Sequence, residues 1–356
     1  MLLYSLLLSV QASRKAKLYC DNWKIFHLTM VHVNLISKFG CHQVRFPSWF
    51  RRQFLVIIRP VPPILRVTEL TFSEVPVRVY EPTAGSLGLR KGLVYFNGGG
   101  WALGNLDDMF LLSLPSLDTG LSLNISIPLS WMTETATCHF LSVAEAEFGV
   151  DPGRVAVGGD SAGGNLANGH LLSPCAQVLI YPALQMADFN LPSYQQNHAV
   201  PIFTVCQDVL EGNHIPAEMR LAFKEWFSPE HLPPECRVRC HRQHVYSDLD
   251  YNREVYHKIK DRLDPEVSPH LEDDTVILLT PPAFILTCVY DILRDVGILY
   301  RKWLLDLELE VTWHHMPDRF LRLMSQNVCC IHSNRASSSY VTMRAGEMHH
   351  HPFCLI

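Results

Sequence analysis

No apolar run at the N-terminus reaches the roughly 20 residues that cross a bilayer. The stretch MLLYSLLLSV, residues 1–10, falls short of that and gives way to Arg14, Lys15 and Lys17. It has no basic segment ahead of it, so it fits a cleaved signal imperfectly, although Val10 and Ala12 carry the spacing of a cleavage site. An excess of one charge is missing too. Thirty Lys and Arg against 35 Asp and Glu leave a net charge of −5 over 356 residues, with only 18% of them charged. That balance offers no footing for nucleic acid as a partner. Internal repeats are absent, and 48% hydrophobic residues mark a globular chain rather than a disordered one. Cysteine is plentiful, with 11 residues, but has no pattern. Cys236 and Cys240 precede His241 and His244, yet no second pair completes a zinc site. The histidines of MHHH, residues 348–351, stand in an irregular tail, and no metal is expected.

What is present becomes orderly from Val67. The alternation in VTELTFSEVPVRVYEP reads as a β-hairpin, and KGLVYFNGGG as a short apolar strand running into glycines. GVDPGRVAVGGDSAGGNLA reads as a turn, a buried strand over 154–158, a sharp bend at Ser161 and a helix start. Gly169 and Pro174 then end that helix near Asn168, since both are poor in helix interiors. AQVLIYPAL and PPAFILTCVYD are two more buried strands, the second reaching Asp291. DILRDVGILYRKWLLDL has helical spacing, and LEVTWHHM is a last strand. Strands alternating with helices imply an α/β chain with a mostly parallel sheet. Residues 190–270, rich in Pro, His, Glu and Arg, interrupt the order as an insertion that looks helical after Pro216.

Two glycine-rich turns carry the chemistry. G-D-S-A-G between a strand and a helix is the setting of a nucleophile elbow, with Ser161 exposed and the Ala162 N–H turned toward a reacting oxygen. Asn97, Gly98 and Gly99 end an earlier strand, where successive N–H groups can stabilise an oxyanion.

These stretches, with LIYPALQ, LPSYQQN, GNHIPAEMR and VTWHHMPD, resemble the arylacetamide deacetylase-like proteins of the hormone-sensitive-lipase-like branch of α/β-hydrolases. The resemblance runs in order from about residue 70 to 318. It implies an α/β-hydrolase fold, mostly parallel with a helical cap, here locally truncated. The implied domains are an anchor or cap segment at 1–65, a hydrolase domain at 66–320 with a cap insertion at about 185–270, and a tail at 321–356. The implied activity is serine carboxylesterase or deacetylase chemistry on small apolar esters or arylamides, without a cofactor. The implied place is the lumenal side of the endoplasmic reticulum membrane, with membrane association through the N-terminus. Asn124-Ile125-Ser126, a glycosylation sequon, leans the same way. Matched residue by residue, Ser161 is the nucleophile and Asp291 the triad acid. Gly98, Gly99 and Ala162 offer the oxyanion N–H groups.

Four departures stand against this pattern. Asn97 replaces a histidine that shapes the loop, and it can both donate and accept. LPSLDTGLSLNISIPLSWMTE has no clear match to the strand motif that should lie there, so that strand is expected to be missing or rewritten. The helix after Ser161 is short. Finally WHHMPDRFLRL puts Leu321 at the position of the triad histidine. Leucine cannot accept a proton. His315 is the nearby substitute, although it matches a position that is not the base. Two readings follow: a serine hydrolase working weakly or through a replaced base, and a catalytically inactive member or aberrant gene-model variant.

Overall fold

The computed structural model describes residues 63–99, 120–125, 130–168, 174–187, 191–197, 226–237 and 260–316, together with 219, 256 and 257. Leu321, His332, His241, His244 and most of the 1–65 segment lie outside the described residues, as do the tail and much of the insertion. The chain divides into two compact units, residues 1–58 with 188–259, and residues 59–187 with 260–356.

The second unit holds an eight-stranded sheet in the order β1-β2-β4-β3-β5-β6-β7-β8. Strands β1 (Leu65–Phe72) and β2 (Val75–Pro82) form the expected antiparallel hairpin. Ser73 and Glu74 turn it with φ of 48° and 69°, the left-handed pair that matches the twist of a two-residue hairpin. Val75, Val77 and Val79 face the core, while Arg66 and Arg78 sit opposite Glu81 and Glu69 and form ion pairs with them. Those pairs set the register on the exposed face.

From there the sheet is parallel apart from the β2–β4 pairing. It continues through β3 (Arg90–Phe96), β4 (Gly120–Ile125), β5 (Val150–Asp160), β6 (Gln177–Ile180), β7 (Ala283–Cys288) and β8 (Val311–Met316). All six residues of β7 are buried, as are Val155–Asp160 of β5. Central parallel strands are covered on both faces, which is why they read as continuous apolar runs.

Of the two expectations for the strand before α1, missing or rewritten, the structure has the second: a strand is present there without the family motif. β4 pairs parallel with β3 from Lys91↔Gly120 to Phe96↔Ile125, and antiparallel with β2 on its other side. Alternation of Leu121, Leu123 and Ile125 with Ser122 and Asn124 is enough to form it, whatever motif it lacks. Asn124 is thereby paired with Arg78 and Tyr95 inside the sheet.

Three helices frame the sheet. Helix α1 (Ser130–Phe148) was not legible as a helix in the sequence. It buries Ala136, Phe140 and Ala144 at i, i+4 and i+8, and Phe140 packs its ring 6.4 Å from Phe72. Helix α2 (Ala162–Ala167) ends at Asn168, as Gly169 and Pro174 implied. Helix α3 (Arg294–Asp306) buries Val296, Tyr300 and Leu304. In the first unit, short helices Pro192–Asn197 and Pro234–Arg237 meet through Gln196 Nε2, which donates to the Cys236 carbonyl at 3.1 Å. Among the described residues no helix is long and apolar enough to cross a membrane, and no group of three potential ligands could hold a metal ion.

Candidate active site

Ser161 occupies the single residue between β5 and α2, with φ 55° and ψ −118°. A side chain in that region costs about 1–3 kcal/mol, strain that persists only where the surroundings over-determine it. Here they do. The Ser161 N–H donates to Ile180 O at 3.0 Å, and its carbonyl accepts from Asn165 at 3.2 Å and Ala183 at 3.0 Å. The Asn165 side chain, 2% exposed, donates to Ala183 O and Val267 O at 2.8 Å each, tying the helix to two neighbouring segments. The flanking glycines are required by space. A Cβ on Gly159 would stand 2.2 Å from Gly163 O, and one on Gly163 would stand 2.0 Å from Phe96 O. The elbow is therefore pressed directly against the end of β3.

That contact brings the second glycine turn to the first. Asn97 is buried at the end of β3, and Gly98 follows it with its N–H donated to Asp160 Oδ1 at 2.9 Å. The expectation that Gly98 serves an oxyanion is corrected by this bond, because its one donor is already engaged by a carboxylate. Gly99, the next residue of the loop, has φ 152°, and Ala162 is buried at the first position of α2. Asp160 itself was overlooked in the sequence. The signal was there: an acid inside a run of small buried residues needs partners, since burying an unpaired charge is costly.

Asp291 does not end β7 as expected. The strand stops at Cys288, and Asp291 lies in the turn between it and α3. It is 1% exposed, and its Oδ1 accepts from the Leu293 N–H at 2.8 Å. Burial pushes its carboxyl well above the usual value; the Leu293 N–H and Arg294 pull it back, and the Asp295 charge adds to the rise. Arg294 and Asp295 form a buried ion pair at 2.7 Å on the same turn. A raised carboxyl value means that the neutral form is the one the fold favours. The stability it contributes is present below the unfolded value, about 4, and is lost as pH rises through the folded value. Asp291→Asn, neutral throughout, is therefore expected to be more stable than the parent at pH 7 and equal to it near pH 4. Urea midpoints across that range check this, and a gap that does not change with pH would refute it.

His315 ends the sheet on β8. Its Nδ1 is hydrogen-bonded to Thr287 Oγ1 at 2.9 Å, and that hydroxyl accepts from Trp313 Nε1 at 3.0 Å. Thr287 thus ties His315 to β7 through Nδ1. His270 lies among the rings of Tyr300, 5.4 Å away, and Trp303, 6.1 Å away, where burial pushes it down to about 3.

Thus the turns after β3, β5 and β7, which carry Gly99, Ser161 and Asp291, all open at the carboxyl edge of one sheet. That edge is where open α/β sheets bind ligands.

Residues 128–232 match the protein family described as alpha/beta hydrolase fold. The chain is 32% identical over 341 residues to arylacetamide deacetylase-like 3 of Mus musculus, covering 85% of this chain and 82% of that protein. It is 35% identical over 326 residues to arylacetamide deacetylase of Oryctolagus cuniculus, covering 77% and 80% respectively. The chain belongs to the arylacetamide deacetylase family. A thermostable esterase from Pseudomonas putida ECU1011 has the same fold, with a TM-score of 0.57 at 19% identity over 84% of this chain and 91% of that one. The relatives and structural neighbours of this arylacetamide deacetylase family member are deacetylases and esterases with the α/β-hydrolase fold, and the strand order above is the fold's own.

Proposed function

We propose that the chain is a serine hydrolase of small carboxylic esters or arylamides with Ser161 as its nucleophile. The observation that carries this is the strained Ser161 backbone at the β5–α2 junction, a conformation with no structural use that glycine would not serve better. In the reaction, the Ser161 hydroxyl attacks the substrate carbonyl, and as the new C–O bond forms its proton passes through solvent to the departing alcohol or amine. The Gly99 and Ala162 N–H groups hold the oxyanion, the alcohol or amine leaves with a proton, and water then releases the acyl group. Asn97 shapes the loop that carries Gly99, and Asp291 is the acid that would orient a base. No step calls for a cofactor.

With Leu321 at the base position, Ser161 keeps its proton and turnover is slow. Loss of a triad member leaves about 10³–10⁴-fold over water from binding and the oxyanion site. That substitution also supports the second reading, a member that binds apolar esters without hydrolysing them. Residence at the lumenal face of the endoplasmic reticulum membrane, through the N-terminal segment, belongs to the same proposal and rests on family membership.

A fluorophosphonate probe separates the two readings. Purified full-length chain is expected to be labelled at Ser161, slowly, as mapped by peptide mass spectrometry, and Ser161→Ala is expected not to react. A folded chain that stays unlabelled sinks the hydrolase reading and leaves the binding one.

A further inference from the structure

Asp160 is the last residue of β5 and 7% exposed. A carboxylate so placed is tolerable only when donors answer it. Its Oδ1 accepts from the Gly98 N–H at 2.9 Å and the Tyr95 hydroxyl at 3.3 Å, and its Oδ2 accepts from the Tyr181 hydroxyl at 3.3 Å. The donors come from strand β3, from the loop that follows it, and from the turn after β6. Both phenols are pushed well above their usual values, by burial first and then by the Asp160 charge, so they remain donors throughout the neutral range. The fit between loop and carboxylate is close. A Cβ on Gly98 would stand 2.5 Å from Asp160 Oδ2 and 2.6 Å from the Asp160 carbonyl oxygen.

We propose that Asp160 is a positioning residue for the oxyanion loop: by holding the Gly98 N–H it fixes the next peptide, so that Gly99 is the amide offered to the substrate oxygen. This rests on Ser161 being the nucleophile. A carboxylate suits the task for two reasons. A hydrogen bond from an amide to an ionised acceptor is roughly twice as strong as one to a neutral acceptor. The second reason concerns repulsion, because a negative group near a developing oxyanion would oppose the reaction. Tyr95 and Tyr181 offset this by donating to Oδ1 and Oδ2, so that the Asp160 charge is spread over three donors. An asparagine would present an N–H₂ to one of those hydroxyls and lose an acceptor.

The test uses the full chain, Asp160→Asn, and two readouts. The first is the rate of Ser161 phosphonylation, with kcat and KM for p-nitrophenyl butyrate measured alongside. Asp160→Asn is expected to slow phosphonylation and kcat by about 10²-fold, the low end for one misaligned oxyanion donor, with KM little changed. An unchanged rate, or a change in KM alone, overturns the proposal. The second is hydrogen exchange at single glycine amides of the unmodified protein, which needs no activity. Gly98 is expected to be protected and Gly99 to exchange at least tenfold faster. Equal exchange at the two overturns the proposal, even where Asp160→Asn fails to fold. If the parent chain does not react with the probe, it is the nucleophile assignment that fails, and amide exchange alone then decides whether Asp160 holds the loop.

Discussion

Leu321→His is expected to raise ester hydrolysis by at least about 10³-fold in kcat, with KM nearly unchanged. The expectation follows from where the base would act. It contributes nothing to ground-state binding and removes the Ser161 proton only as the carbonyl is attacked. In serine proteases the loss of this one residue costs about 10⁶ in kcat, which sets the ceiling for its return. The described parts of the proposed site are already held: Ser161 in its strained turn, Gly98 on Asp160, and Asp291 buried on the turn after β7. Position 321 lies just beyond β8, which ends at Met316. A new pH dependence should accompany the gain, with activity rising through about 6.5 as the imidazole loses its proton. In the same background Asp291→Asn is expected to remove most of that gain, because the imidazole loses the acid that orients it. Assays with p-nitrophenyl butyrate between pH 5 and 8 check all three outcomes. A folded Leu321→His protein with no gain would show that Ser161 and residue 321 do not work together.

Most strands of the sheet were legible because each is either clearly alternating or clearly buried. Val75, Val77 and Val79 alternate with polar residues, and β7 is apolar throughout. β4 has no family signature; the alternation in GLSLNI and pairing with two neighbours are enough to form a strand there. Helix α1 escaped because its buried stripe is mostly small, Ala136, Thr137 and Ala144 around one Phe140. Such a stripe has little periodic contrast in hydropathy.

Within the candidate site, Ser161 stands out in the sequence by its G-x-S-x-G setting between a strand and a helix, whereas Asp291 is singled out by the family resemblance alone. The role of Gly98 was not legible. A run of three glycines shows that donors are present but not which of them already has a partner, and that depends on Asp160 from a strand 62 residues away. Asp160 could have been found by asking what neutralises an acid in a buried strand. His315 carried a different ambiguity. Its sequence context allows either a base or a strand-end side chain, and its bond with Thr287 is a tie between neighbouring strands that spacing does not show.

Gly163→Ala is expected to destabilise the protein by about 3 kcal/mol or more, the upper end for an added methyl in a packed interior. The reason is what the methyl would meet. Its Cβ would lie 2.0 Å from Phe96 O, 2.6 Å from Phe96 C and 2.9 Å from Asn97 C, all backbone atoms. No rotamer change can clear them. β3 is locked between β4 and β5, so the strain falls on the Phe96–Asn97 peptide and on the start of α2. In a domain of this size a loss of about 3 kcal/mol lowers the melting temperature by roughly 6–12 °C. Gly88→Ala is the matching control, since nothing lies within 4 Å of its added carbon, and its melting temperature should stay close to the parent's. Calorimetry of the two variants decides the structural claim. The same displacement would move Gly98 off Asp160, so the phosphonylation rate of Gly163→Ala, measured well below its melting temperature, should fall further than its stability explains. A variant that melts early yet reacts at the parental rate would show that the close approach of α2 to β3 serves packing alone and has no part in aiming the oxyanion loop.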